Sequence, residues 1–82
     1  MEEKQLSVPQ VFVITNIEVL ISNFSADPES YFKTIIELID ANNIAEHKDT
    51  MQYLYGLLAR NGHLEYAAEF AKKYDIQTAN YC

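Results

Sequence analysis

Residues 7–24 read Ser7-Val8-Pro9-Gln10-Val11-Phe12-Val13-Ile14-Thr15-Asn16-Ile17-Glu18-Val19-Leu20-Ile21-Ser22-Asn23-Phe24, and Glu18 is the one charged side chain among them. Nine residues after Pro9 are Val, Ile, Leu or Phe, and they do not keep to one helical stripe. The β-branched content (Val11, Val13, Ile14, Thr15, Ile17, Val19, Ile21) keeps a pair of strands in contention. Length decides for a helix from about Val8 to Phe24, because the stretch holds no glycine and no internal turn signal. Ser7 and Gln10 stand at the two ends of a capping-box step, and Pro9 suits a first helical turn, where its missing N–H costs little. An element that is apolar on more than one side needs cover on more than one side. A chain of 82 residues has little else to supply that cover, so the segment points outward, to a partner surface.

The rest of the chain reads as further helices joined by short turns, since it holds two glycines, two prolines and no low-complexity tract. Asp27-Pro28-Glu29 starts a second helix, expected over Pro28 to Ala41, with Phe32, Ile35, Ile36 and Ile39 on one stripe and Asn42-Asn43 as its stop. A third helix is expected between Ala45 and Arg60, facing inward through Met51, Leu54, Tyr55 and Leu58 and ended by Asn61-Gly62. The fourth is expected from His63 to Tyr74, with Lys72 and Lys73 at its negative end. On it, Leu64, Ala67, Ala68 and Ala71 form a small-residue face for the third helix. Tyr66, Phe70 and Tyr74 recur every four residues as a separate aromatic ridge. The fold class is therefore all-α: a compact four-helix bundle over residues 1–82, closed by a tight helical hairpin and capable of dimerising. Residues 1–6 and 76–82 are expected to be flexible ends, with fraying from Asp75.

Composition sharpens this. A chain this short hides about 60–65% of the surface its unfolded form exposes, so its core is marginal, and small domains commonly add disulfides, a metal or oligomerisation. The lone cysteine, Cys82, offers no intramolecular disulfide, and no Cys/His cluster suggests a metal. One cysteine and a start without a basic, apolar leader lead us to expect a reducing, cytoplasmic setting. The apolar run from Val11 to Ile21 is too short to span a bilayer and carries Thr15, Asn16 and Glu18, so no membrane insertion is expected. Net charge is −6, which repels phosphate backbones and argues against direct nucleic-acid binding. A basic partner protein is the more natural match.

The stretch Met51 to Tyr74, MQYLYGLLARNGHLEYAAEFAKKY, resembles one unit of the tetratricopeptide and pentatricopeptide helical-repeat families. In that likeness Met51, Leu54 and Leu58 take the packing positions of the first repeat helix, Gly62 the turn glycine and Ala67 the small residue where the helices cross. Tyr55, Ala71 and the lack of a proline after Asp75 depart from the pattern, and no second copy follows at repeat spacing. The resemblance implies a protein-binding role.

Catalysis finds little in the sequence. His47 lies in the charged run Glu46-His47-Lys48-Asp49, and His63 follows the turn glycine, where it could satisfy backbone groups. His63, Glu65 and Glu69 lack the two-histidine spacing of a zinc helix. There is no phosphate loop, serine elbow or paired-carboxylate motif, so neither catalytic residues nor a cofactor are expected. The candidate partner-binding residues are Phe12 and Val19 on the first helix and Tyr66, Phe70 and Tyr74 on the fourth. Glu18, Glu37 and Asp40, with Glu29, are expected to form an acidic rim. The function expected is a protein-binding adaptor or inhibitor. The alternatives are a cradle for a partner helix between the first, third and fourth helices, or an obligate homodimer.

Overall fold

The first two helices begin on capping chemistry that the sequence displays, at Ser7–Gln10 and at Asp27-Pro28. The computed structural model describes residues 6–76. Among them are four α-helices, α1 (Val8–Ser22), α2 (Pro28–Ala41), α3 (Lys48–Arg60) and α4 (Leu64–Tyr74), with 3₁₀ turns at Phe24–Ala26 and Ile44–Glu46 and no strand.

At the start of α1 the Gln10 N–H donates to Ser7 Oγ at 3.3 Å and the Ser7 N–H donates to Gln10 Oε1 at 2.9 Å, a complete capping box that resolves the segment as helix. Gln10 Nε2 also donates to the Asn42 carbonyl at 2.7 Å, so the start of α1 meets the end of α2 and the two helices run antiparallel. The helix stops at Ser22, short of Phe24. Asn23 Nδ2 takes the Val19 carbonyl at 3.0 Å, the local competition by which Asn ends helices. The turn that follows swings Phe24 inward, where it is fully buried.

Asp27 caps α2 and Pro28 opens it, as expected, and Asn43 closes it in the left-handed conformation with φ 57°. The third helix lies within its expected span of Ala45 to Arg60: Ile44–Glu46 forms a 3₁₀ turn that buries Ile44, and α3 runs from Lys48 to Arg60. Gly62 ends α3 with φ 86°, and the His63 N–H reaches back to the Leu58 carbonyl at 3.0 Å. Asp75 ends α4 in the same left-handed way, with φ 55°. The Ile76 N–H bonds the Ala71 carbonyl at 2.9 Å and the Ile76 side chain packs on the core. Fraying therefore does not start at Asp75. The expectations for residues 1–5 and 77–82 lie outside the described residues.

Helix α1 packs on α2 and α3 on α4, while α1 also meets α3. The core between them takes Ile17 and Ile21 from α1, Ile35 and Ile39 from α2, Met51, Leu54 and Leu58 from α3, Ala67 and Phe70 from α4, and Phe24 and Ile44 from the turns. Three of the expected assignments on α4 change. Leu64 and Ala68 are exposed, and Phe70, assigned to a separate ridge, is completely buried between Ala67 and Ala71. The helix is rotated about 60° toward its aromatic side relative to the alanine-centred reading, given about 100° per residue. A phenylalanine ring removes far more apolar area from water than an alanine methyl, so the ring decides which face turns inward.

Three substitutions separate these contributions in urea unfolding. Phe24→Ala costs about 3–5 kcal/mol through the cavity it opens. Gly62→Ala costs about 1–2 kcal/mol because its φ lies in the left-handed region. Gly56→Ala raises stability by about 0.5–1 kcal/mol, since it lies inside α3 and an added Cβ meets only the Arg60 side chain at 3.7 Å.

Candidate interaction surfaces

The expected site residues separate into two surfaces and one core residue. Phe70 belongs to the core and presents nothing to a partner, because its ring is covered on every side. Phe12 and Val19 lie on the outer face of α1, and they are 66% and 54% exposed. Val8 and Val11, at 68% and 48%, stand beside them. At about 100° per residue, Val8, Val11, Phe12, Thr15 and Val19 fall within an arc of about 100°, opposite the face that buries Ile17 and Ile21. Val8 and Val11 carry the same spacing signal as Phe12 and Val19 and could have been read from it.

Glu18 flanks this stripe and is engaged: it accepts a hydrogen bond from the Tyr53 phenol of α3. That bond, with burial and the carboxylate charge, raises the Tyr53 pKa, and nearby Arg60 acts against it. Tyr53 was not expected at a site, since it lies off the Met51, Leu54 and Leu58 stripe of its own helix. Only the packing of α3 against α1 brings it to Glu18.

The second surface lies between α2 and α4. Tyr66 is half-buried, its ring 5.1 Å from Phe24 and 5.0 Å from Phe32, while Phe24 in turn lies 4.6 Å from the ring of His63. His63 thus contributes an aromatic contact; its side chain makes no capping hydrogen bond. At the other end of these helices the Tyr74 phenol donates to Asp40 Oδ1 at 2.9 Å, its ring lies 5.2 Å from Phe70, and Lys73 Nζ sits 5.5 Å from its centroid. With start meeting start and end meeting end, α2 and α4 run parallel. An open groove of about 590 Å³ lies between them, with Phe32, Ile36 and Tyr66 as its apolar lining. Glu29, Lys33 and Glu37 rise on the α2 wall, and Glu69 and Lys73 on the α4 wall.

This geometry corrects one expectation. Glu29, Glu37 and Asp40 sit on the α2–α4 side and not around the α1 stripe, so the acidic rim does not enclose one combined site. No α1 or α3 residue lines this groove. Lys33 and Lys73 were also missed, although each stands four residues from an acid on the same helix, a readable spacing. Among the described residues no group of three or more His, Cys, Asp or Glu side chains could hold a metal ion, and no helix is long and apolar enough to cross a membrane.

Compared with protein-family models, curated proteins and solved structures, the chain has no match.

The Tyr74–Asp40 pair has a measurable consequence. Burial first, then the hydrogen bond to Asp40 and its negative charge, raise the Tyr74 pKa well above the usual phenol value. A group whose pKa is raised by folding contributes stability that is fully present below its unfolded value, about 10, and is lost as pH rises above it. The midpoint of urea unfolding should therefore fall above about pH 10, and fall less steeply in Tyr74→Phe, which has no phenol to ionise.

Proposed function

We propose that this chain is a protein-interaction module, an adaptor or inhibitor, whose docking surface is the outer face of α1 and whose partner presents a helix to it. The observation that carries the reading is the exposed apolar stripe Val8, Val11, Phe12 and Val19, set on one face of a regular helix and directly opposite the core. Val8, Phe12, Thr15, Val19 and Ser22 follow one another at intervals of four, three, four and three, the seam by which one helix packs along another. Surfaces of this kind on small domains mark contact sites. The likeness of residues 51–74 to a helical-repeat hairpin points the same way. A second reading, a cradle for a partner segment, is favoured by the apolar floor of the α2–α4 groove.

The double variant Phe12→Glu with Val19→Glu tests the first reading. Both positions face solvent, so thermal stability should stay within about 0.5 kcal/mol of the parent. Binding of a hydrophobic dye, measured at low protein concentration, should be lost. Unfolding of the variant would show that the stripe serves the monomer's own core. A parent chain that neither binds dye nor associates with any protein, itself included, would equally overturn the reading.

A further inference from the structure

We infer that the helix docking on α1 is α1 of a second copy of the chain, laid antiparallel, an inference that rests on the reading of α1 as a docking face. The first support is register. A twofold axis passing beside the middle of the Val13–Ile14 step places Val8 opposite Val19 of the second copy and Phe12 opposite its Thr15. Each layer then sets two valines together or one large side chain against a small one, and each contact occurs twice by symmetry. An isologous interface of this kind needs a self-complementary patch, and the four-three-four spacing from Val8 to Val19 supplies it.

The second support is charge. The chain carries a net charge of −6, yet Val8, Val11, Phe12, Thr15 and Val19 carry none, so two acidic bodies can meet here without setting like charges together. Glu18, at the edge of the stripe, already accepts the Tyr53 phenol. In the antiparallel register the two Glu18 residues lie nine positions apart along the paired helices, about 13 Å at 1.5 Å per residue, which exceeds the screening length of about 8–10 Å. A parallel pairing would bring them side by side and align the two helix dipoles. A basic partner finds no acid on the stripe apart from this one engaged glutamate.

The size of the face sets the strength. A helix of 15 residues spans about 22 Å, so the paired faces form an interface at the small end of the specific range. The dimer is accordingly reversible, with a Kd between about 1 and 100 μM.

The experiment is sedimentation equilibrium on the full chain with reductant present, followed by directed cross-linking. The parent should dimerise in the stated range, and the Phe12→Glu, Val19→Glu variant should weaken this by at least about 30-fold while keeping its helical circular dichroism. Raising salt from about 0.05 to 0.5 M should strengthen the dimer, because it screens repulsion between two acidic bodies. In a Cys82→Ser background, an oxidised equimolar mixture of Val8→Cys and Val19→Cys chains should form the mixed disulfide. Either chain alone should not, since like positions stand eleven residues, about 16 Å, apart along the axis, beyond the roughly 7 Å a disulfide can bridge. Self-linking of Val8→Cys would overturn the antiparallel arrangement. A dimer that survives the double substitution, or that weakens with salt, would overturn the α1 pairing. A parent that remains monomeric throughout but binds dye at its stripe would overturn the second copy and leave the docking face standing. A monomer that binds neither dye nor protein would overturn both.

Discussion

Phe24 lies on a single 3₁₀ turn between α1 and α2, yet its ring is buried against His63 and Tyr66 at the start of α4, and that contact governs where the last helix can lie. The ring reaches this place because Asn23 ends α1 two residues before the apolar run ends. With Phe24 inside, Tyr66 is held against Phe32 of α2, and α4 runs parallel to α2 until Tyr74 meets Asp40. The aromatic chain from His63 to Phe32 therefore ties the α1–α2 turn and α2 to the start of α4.

The same economy explains α1. Helices α2 and α3 and the two turns cover the side that carries Ile17 and Ile21, and the described chain packs nothing over Phe12 and Val19. A four-helix arrangement of this length has one interior, and a helix that is apolar all round can give only one side to it. The outer side is thus left over from folding and available for association. In the proposed dimer, its lack of charge in a chain of net charge −6 lets two copies meet without setting like charges together.

The acidic residues, by contrast, are placed by α2 and α4. Asp40 and Glu18 each accept a tyrosine hydroxyl from another helix, so part of what reads as a steering rim in the sequence is spent on holding helices together. Glu29, Glu37 and Glu69 alternate with Lys33 and Lys73 along the groove. Such alternation gives the groove local polarity but little net field.

The boundaries set by the Ser7–Gln10 capping box, Asp27-Pro28, Asn43 and Gly62 were legible because they depend on neighbours within four residues, whereas the stop at Asn23 was not read. The surplus apolar character of α1 was legible too, since it is a property of composition along one segment. Tertiary structure alone decided the rest. It rotated α4 so that Phe70 left the supposed ridge for the core and Leu64 left the core for solvent, since the largest rings compete for the one available interior. It also divided the expected site into the α1 face and the α2–α4 groove. Which side of a helix turns inward depends on what the other helices offer it, and that information lies in residues far away along the chain.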